Sequence, residues 1–429
     1  MKLYLELKRT KPARQHHFPF YERSQRRLRW FKLGVITLTG LAIAVILAAL
    51  PKGRYLVASV PPLARQAVRS VLGLSTPREE IDAGWRRYRL QGVLDSKRAI
   101  TRFYADADPA YQRLLRYAGM DPDHGLHRWG NYRLTVLLPS TVFEADDTGR
   151  SYRLRPCTQS IWLRELTLKA GVLMFFLVPD GPGLSEAMRG TSAIVVTESK
   201  QTTNAWGLRG PEPELDAPYR GIVLGDSYMQ GMFIGDNDTP PECLRRDLQR
   251  RWKSKVSILN TGHLGYSPEQ YYYSLVAYAD RFLPHFVVVS IFSNDFGDAF
   301  EVLKGKGDWD EGKYWLDRIG QFCRTRQLPF LVVPVPQTIQ MMNRRMTGFY
   351  PGILTNILDI SGLKFLDPTD AFVDAHLGLV IEGERKGQRP AGCPLFNEQY
   401  RDGHFSALGS EVWAEAVGRR IALLMPPNQ

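Results

Sequence analysis

The sequence predicts an α/β protein with a doubly wound parallel sheet in its C-terminal half, preceded by an α+β segment and one transmembrane helix. Two observations lead to this prediction. Short apolar runs alternate with helix-like segments from residue 219 onward, and a run of eighteen residues without charge occupies residues 33–50. Strands covered on both faces are apolar throughout, and helices between such strands indicate parallel pairing.

The positive charge of the chain is concentrated before the uncharged run. Of the formal net charge of +12 on 429 residues, +8 lies in residues 1–32 and +4 on the other 397. A nucleic-acid-binding face would carry its charge on the folded part of the chain, so we expect no nucleic-acid partner. The content of 44% hydrophobic and 23% charged residues is that of a folded protein.

Residues 33–50, LGVITLTGLAIAVILAAL, are just long enough to cross a bilayer core as a helix. The positive-inside rule places the basic tail, residues 1–32, in the cytoplasm and the rest of the chain outside, in a periplasmic or extracellular location. A cleaved signal peptide is one alternative, although the run exceeds a typical apolar h-region and its cleavage site is poor. A soluble core helix is the other. We expect an uncleaved signal anchor.

Residues 51–75 form a predicted stalk, and residues 76–200 a predicted accessory α+β domain of unknown role. The apolar helical face over 63–72 fits either the membrane surface or packing against its own domain. Thr-Pro-Arg-Glu at 76–79 is a capping box that predicts a helix start. YRLTVLLPSTVFEA and SYRLRP predict strands around an Asp-Asp-Thr-Gly turn. The apolar run at 168–179 is too short for a second membrane span.

The C-terminal half contains five predicted strands with helices between them. The strands are 221–225, 255–260, 286–292, 328–335 and 363–367. The helices are 240–253, 267–281, 311–326 and 406–424. In parallel sheets of this kind the ligand site lies at the carboxyl ends of the strands, so the residues that follow the strands are the candidates for function.

Four short blocks of polar residues and glycines occur at these places. They are GDS at 225–227, NTGHLG at 260–265, SND at 293–295 and RDGH at 401–404. A serine hydroxyl becomes a nucleophile when a base within hydrogen-bonding reach takes its proton, and His404 is the candidate base for Ser227. The oxyanion that then forms needs hydrogen-bond donors, and glycine lets the backbone approach the substrate closely.

The four blocks resemble those of the SGNH (GDSL-type) hydrolase family, over about residues 221–424. The resemblance implies a flavodoxin-like fold, and we place an SGNH-type catalytic domain at 201–429. It implies Ser227 as nucleophile, His404 as base, and an oxyanion hole made by the Ser227 and Gly265 N–H groups and the Asn294 amide. We expect neither a metal nor a cofactor. Plain structural roles, Ser227 as a turn or helix cap and Asn294 as a loop residue, are the alternatives.

The chain departs from the family pattern at three positions. Tyr228 stands where many members have leucine, and Phe292 where the family usually has glycine. The family aspartate lies three residues before the histidine, but that position is Arg401, and Asp402 lies only two residues before His404. We expect Asp402 to orient the imidazole and complete a triad. A Ser-His dyad, or an Asp402 that only caps the last helix, stays open.

The resemblance and the predicted topology together imply an outward-facing enzyme, anchored in the membrane, that makes or breaks an ester through an acyl-Ser227 intermediate. Its expected substrate is an acyl ester of cell-envelope carbohydrate. Esterase and O-acyltransferase differ only in whether water or a sugar hydroxyl accepts the acyl group, and a transferase would need a partner protein that donates it. The alternative is a non-catalytic scaffold that binds glycan or a partner protein.

The four cysteines match no metal-binding pattern. They are Cys157, Cys243, Cys323 and Cys393. Outside the cytoplasm disulfides can form, and a Cys157–Cys393 bridge is one option that the sequence does not assign. Cys243 and Cys323 are expected to be buried thiols.

Overall fold

The computed structural model describes residues 97–98, 101–102, 104–105, 107–130, 135–165, 174–296, 309–342, 364–388, 390, 392–400 and 402–426. The chain divides into the units Met1–Tyr88 and Arg89–Gln429, and all described residues belong to the second. The predicted tail, transmembrane helix, stalk and capping box (residues 1–79) lie outside the described residues and stay predictions. In the part that is described, no helix has the length and apolar character needed to span a bilayer.

The N-terminal part of the described chain contains short antiparallel strands and short helices. Helix α1, Pro109–Ala118, is capped by Asp108 and ends at Gly119 in the left-handed region (φ 68°). Strands β1 and β2 pair with each other, β3 and β4 form a hairpin at the predicted Asp-Asp-Thr-Gly turn, and β5 pairs with β6, β7 and β8. Their bounds, with helix α2, are β1 Leu126–Trp129, β2 Thr135–Leu138, β3 Phe143–Asp146, β4 Ser151–Leu154, β5 Gln159–Glu165, β6 Met174–Pro179, α2 Leu184–Met188, β7 Ala193–Val195 and β8 Gln201–Thr202.

A parallel sheet of five strands forms the C-terminal half, as the alternation of apolar runs predicts. The strands are β9 Tyr219–Leu224, β10 Val256–Asn260, β11 Phe286–Ile291, β12 Phe330–Pro334 and β13 Lys364–Phe365. Their order across the sheet is β10-β9-β11-β12-β13, and every pair is parallel. This is the 2-1-3-4-5 order of flavodoxin-like folds, in which ligands bind where the strand order reverses, here between β9 and β11.

Seven helices of the described chain accompany this sheet. They are α3 Ser227–Gln230, α4 Pro240–Trp252, α5 Pro268–Phe282, α6 Trp309–Thr325, α7 Thr338–Met342, α8 Thr369–Arg385 and α9 Ala407–Leu424. Local caps fix their starts: Ser267 and Gln270 form a capping box at the start of α5, and Ser406 accepts from the Gly409 N–H at the start of α9. The four predicted helices are present, and no end is shifted by more than two residues.

The sheet is covered on both faces, so its strands bury alternate side chains in two different cores. Ile222 and Leu224 of β9 pack with α5 and α6, whereas Val223 packs with α4, α8 and α9. The same alternation in β11 separates Val287 from Val288. The doubly wound arrangement therefore follows from strands that are apolar on both sides.

The first of these cores also contains side chains from the N-terminal strands. Phe233, which follows α3, lies with its ring centroid 5.5 Å from Trp162 of β5 and 4.8 Å from Phe175 of β6. Phe143 and Tyr152 of the β3–β4 hairpin are fully buried in the same core. The N-terminal strands thus share a core with the sheet. These contacts leave the predicted accessory domain over 76–200 and its boundary at residue 200 undecided.

All four cysteines are free thiols, so the Cys157–Cys393 bridge that the sequence left open is not formed. Cys157 is exposed, and the other three are buried. Burial raises the pKa of Cys243 and of Cys323 to about 12. These two are therefore unreactive core thiols, since the thiolate is the reactive form.

Candidate active site

Ser227 lies at the start of the short helix α3, directly after strand β9. The turn that carries it is tight: a Cβ on Gly225 would lie 2.4 Å from the Cγ of Met229, so only glycine fits there. Asp226 caps α3 through an Oδ1 atom that accepts from the Tyr228 N–H at 3.0 Å. Gly231, in the left-handed region (φ 81°), ends the helix. The sequence around Ser227 therefore forms a strand–turn–helix unit that places the hydroxyl at the carboxyl end of strand β9.

Ser227, His404 and Asp402 form one line of hydrogen bonds. The Ser227 Oγ lies 2.6 Å from His404 Nε2, and His404 Nδ1 lies 2.5 Å from Asp402 Oδ1. Because the Asp402 carboxylate can only accept, the ring proton is on Nδ1 and Nε2 is free to accept from the serine hydroxyl. The structure thus brings together the three residues that the sequence predicts as nucleophile, base and orienting acid.

The two-residue spacing between Asp402 and His404 has a simple geometric basis. Asp402 Oδ1 accepts from the backbone N–H of His404 at 2.7 Å as well as from its ring, which is an Asx-turn. Because the carboxylate folds back over its own backbone, two residues are enough for it to reach Nδ1. The helix-cap alternative for Asp402 is wrong, because Ser406 caps α9.

Two of the departures from the family pattern, Tyr228 and Phe292, lie against each other beside the imidazole. The Tyr228 ring centroid lies 4.5 Å from that of His404 and 4.7 Å from that of Phe292. Its hydroxyl donates to the Gly403 backbone oxygen at 2.8 Å. Tyr228 therefore fixes both the ring face and the loop of the base. Its sequence position directly after Ser227 does not predict this role.

Charges around His404 set its protonation. Burial lowers the pKa of His404, but the Asp402 carboxylate, followed by Asp226, outweighs burial, and the pKa lies above its ordinary value of 6.5. Burial would raise the pKa of Asp402, yet the charge and hydrogen bonds of His404 hold it below 3.8. The imidazolium that forms when His404 takes a proton is therefore stabilised.

The loop after β10 lies on one side of the Ser227 turn. The His263 N–H donates to the Gly225 oxygen at 3.3 Å, and the Leu264 N–H donates to Gln230 Oε1 at 2.6 Å. Gly265 is in the left-handed region (φ 72°), which favours glycine. Its N–H donates to no described residue. The structure thus places the predicted oxyanion-hole glycine in a loop bonded to the nucleophile turn.

Asn294 lies on the other side of the turn, in the loop after β11. The loop is braced by Asp295, which accepts from the Tyr271 hydroxyl at 2.9 Å and from the Phe292 N–H at 2.9 Å. The Asn294 Oδ1 is buried without a hydrogen-bond partner among the described residues. Asn294 and Ser227 therefore flank the point between β9 and β11 where the strand order reverses, the expected position of a ligand.

His263 is a structural residue of the loop after β10. Burial lowers its pKa to about 4, so the ring is neutral. Nε2 accepts from the Leu154 N–H at 3.3 Å, and Nδ1 donates to the Thr261 oxygen at 3.0 Å. Within the described ranges, no group of three or more His, Cys, Asp or Glu side chains is arranged to hold a metal ion.

Comparison with known proteins gives distant similarities. No protein-family model and no curated protein matches the chain. Among solved structures it is similar to the lipase/acylhydrolase from Enterococcus faecalis (16% identity, 49% of this chain and 99% of that chain, TM-score 0.36). It is also similar to the acetyl xylan esterase AlAXEase (16%, 47% and 99%, 0.36) and to an acetylxylan esterase from Geobacillus stearothermophilus (18%, 48% and 95%, 0.33). Similarities at this level carry no conclusion, so we infer function from the site itself.

Proposed function

We propose that this chain is a serine esterase or O-acyltransferase of the SGNH type that acts through an acyl-Ser227 intermediate. The observation that carries the proposal is the line of hydrogen bonds from Ser227 through His404 to Asp402, at 2.6 and 2.5 Å. A nucleophile, a base within reach of it and a group that orients the base are the parts of an activated serine.

The site residues have defined roles in this reaction. As Ser227 Oγ attacks the ester carbonyl, His404 Nε2 takes the hydroxyl proton, and the Asp402 carboxylate stabilises the imidazolium. The bond to the leaving alcohol then breaks, and His404 returns the proton to the departing alkoxide. In the second half, water or a sugar hydroxyl gives its proton to His404 and attacks the acyl group, and Ser227 recovers its proton.

The negative charge on the tetrahedral intermediate is assigned to three donors. They are the Ser227 N–H, the Gly265 N–H and the Asn294 side-chain amide, which follow the adjoining strands β9, β10 and β11. Loss of one oxyanion-hole donor typically costs about 2.7–4 kcal/mol of transition-state stabilisation. No cofactor is needed for this chemistry.

The substrate proposal rests on where the enzyme would be held. The uncharged run at 33–50 and the basic residues before it support a single-pass anchor with the catalytic part outside the cytoplasm. In that position, acylated cell-envelope carbohydrate is the ester within reach. If a sugar hydroxyl rather than water takes the acyl group, a partner protein must supply the acyl donor.

The test is turnover of a chromogenic acyl ester by the full chain in detergent. We expect turnover by the wild type and none by Ser227→Ala or His404→Ala. Ser274→Ala is the matched control, because Ser274 is buried in α5 with no described hydrogen-bond partner. Equal turnover by the wild type and by Ser227→Ala would contradict the proposed catalysis at this site. It would leave the non-catalytic scaffold as the remaining alternative.

The acceptor is tested in the same assay. Addition of an unacylated oligosaccharide distinguishes the two reactions, because an esterase releases only free acid whereas a transferase yields acylated sugar. Mass spectrometry of the products and of the intact protein shows which acyl group forms on the sugar and on Ser227.

A further inference from the structure

We infer that Tyr152, on strand β4 of the N-terminal part, is a positioning residue that holds the oxyanion-hole N–H of Gly265 in place. The inference rests on the proposed function. Tyr152 is fully buried, and its hydroxyl donates to the backbone oxygen of Leu264. No strand-end motif contains this tyrosine, and the segment that carries it is the predicted accessory domain to which the sequence assigned no chemistry.

The connection between Tyr152 and Gly265 is a single peptide group. The oxygen of Leu264 and the N–H of Gly265 belong to the same planar trans unit, so they point in opposite directions. A donor that fixes the Leu264 oxygen therefore fixes the direction of the Gly265 N–H. The Tyr152 hydroxyl donates to the carbonyl oxygen of this peptide. The N–H of the same peptide is the predicted donor to the substrate oxyanion.

The peptide between Leu264 and Gly265 is the central peptide of a β-turn. The Tyr266 N–H donates to the His263 oxygen at 3.1 Å, so Leu264 and Gly265 are the two central residues of the turn. The φ of Gly265, 72°, is that of a type II turn. Rotation of the central peptide converts type II into type I and turns its N–H to the other face. The Tyr152 hydroxyl holds the turn in the type II form.

Hydrogen bonds also hold the β3–β4 hairpin against the segment that follows Gly265, so the position of Tyr152 is fixed. The Tyr266 hydroxyl donates to the Tyr152 oxygen, and the Gln270 side chain donates to the Arg150 oxygen at 2.7 Å. The Tyr152 and Tyr266 rings meet edge to face at 5.1 Å. Burial, followed by the charge of Asp226, raises the pKa of Tyr152 well above its ordinary value, so the hydroxyl stays a donor.

The experiment compares Tyr152→Phe with Tyr117→Phe in the full chain. Both variants keep the ring and lose one hydroxyl that donates to a backbone oxygen, but Tyr152 donates to Leu264 in the loop of Gly265, whereas Tyr117 of α1 donates to Pro179. The readouts are kcat and KM for the chromogenic ester and the rate at which a fluorophosphonate labels Ser227. We expect Tyr152→Phe to lower kcat and the labelling rate about tenfold or more with KM unchanged, and Tyr117→Phe to change them less than about twofold.

A second variant keeps the test decisive if Tyr152→Phe does not fold. 3-Fluorotyrosine at position 152 keeps the ring and strengthens the hydroxyl as a donor, so we expect rates at or above those of the wild type. Rates for it as low as those of Ser227→Ala, or equal losses in the two phenylalanine variants, would overturn the inference. So would wild-type rates in Tyr152→Phe. Absence of Ser227 labelling in the wild type is a different result, because it would overturn the proposed function and this inference together.

Discussion

At the residue scale, the protonation of His404 decides when the site can work. The base must be neutral to take the Ser227 proton, and the pKa of His404 is raised by Asp402 and Asp226 against the opposing effect of burial. The acid limb of the activity profile should therefore have its midpoint above the ordinary 6.5. Activity is lost as the pH falls through the raised pKa.

Replacement of Asp402 by asparagine should change both the rate and this profile. The Asn amide can donate to Nδ1, which would put the ring proton on Nε2 and prevent it from accepting from Ser227. We expect kcat to fall about 100-fold or more and the acid limb to move to lower pH, since the main group that raises the pKa of His404 is gone. The measurement is kcat/KM against pH, with the exposed Asp370→Asn as control. An unmoved acid limb would contradict the assignment of Asp402.

A second prediction concerns Asp226 and the stability of the folded protein rather than the rate of turnover. Burial raises its pKa to about 6 from 3.8, and one of its oxygens has no hydrogen-bond partner among the described residues. Because the folded pKa lies above the unfolded one, the native state favours the protonated acid, and stability falls as the pH rises from 3.8 to about 6. Above that range the buried charge costs about 3 kcal/mol.

Asp226→Asn removes this cost without removing the cap. Asparagine keeps an oxygen for the Tyr228 N–H, which Asp226 Oδ1 accepts at 3.0 Å, and it cannot ionise. We expect the variant to be more stable than the wild type above pH 6 and equally stable below 3.8, the two pKa values of the carboxyl. Urea unfolding at the two ends of this range measures the difference. A stability difference independent of pH would show that the charge is not its cause.

At the scale of elements, helix α3 is held at its C-terminal end by one buried arginine. Arg209 donates to the oxygens of Gln230 and Ile234, each at 2.6 Å, and pairs with Asp236 at 2.9 Å. Its guanidinium is fully buried. A four-residue helix has few internal hydrogen bonds, so this external donor holds the C-terminal end of α3 in place.

Arg209→Lys should therefore be strongly destabilising. Lysine lacks the planar fork that serves several oxygens at once, and each buried backbone oxygen left without its donor costs about 1–3 kcal/mol. Arg419→Lys is the matched control, because Arg419 of α9 pairs with Glu415 at 3.5 Å on an exposed surface, where about 1 kcal/mol or less is at stake. Urea unfolding of both variants tests this, and equal losses would contradict a special role for Arg209.

Alanine substitutions at two glycines should have opposite effects on stability, one through packing and the other through helix propensity. A Cβ on Gly262 would lie 2.4 Å from the Gln230 nitrogen and 2.6 Å from the Met229 carbonyl carbon, so Gly262→Ala must push the loop of Gly265 away from α3. We expect lower stability and at least tenfold lower kcat. Gly378→Ala, in α8 with no atom within 4 Å, should instead stabilise by about 0.5–1 kcal/mol. Thermal unfolding and turnover of the pair measure both effects, and normal turnover by Gly262→Ala would contradict the close approach.

The elements that the sequence predicts are those with a local pattern. Apolar runs and capping residues predict β9 to β13 and α4, α5, α6 and α9. The positions of the strand ends, and of the polar residues that follow them, are therefore predicted as well. Helix α8 was missed, because Gly378 and Gly383 interrupt its pattern and it is stabilised by contacts of Phe372 and Val373 with α9. Tyr152 could not be found from sequence, since its contact with Leu264 joins residues 112 positions apart.

At the scale of the whole molecule, the N-terminal strands and the parallel sheet share one hydrophobic core. Phe233, Tyr266 and Tyr271 of the C-terminal half are buried in the same core as Phe143 and Tyr152 of the N-terminal strands. The hydrogen bonds from the β3–β4 hairpin reach the glycine loop of the site. The geometry of the proposed oxyanion hole therefore depends on residues well outside the part of the chain that carries the four motifs.

The last prediction concerns where the chain can be divided. A fragment of residues 201–429 contains every predicted site residue but exposes Phe233, Tyr266 and Tyr271. Each large apolar side chain contributes about 1.5–3 kcal/mol when buried, so the loss is comparable to the 5–15 kcal/mol that stabilises a typical domain. We expect 89–429 to unfold in one cooperative transition and 201–429 to bind a hydrophobic dye and to lack turnover. Circular dichroism during urea unfolding makes the comparison. Cooperative unfolding and full activity of 201–429 would instead establish residue 200 as a true domain boundary, and would show that the oxyanion-hole loop keeps its conformation without the β3–β4 hairpin.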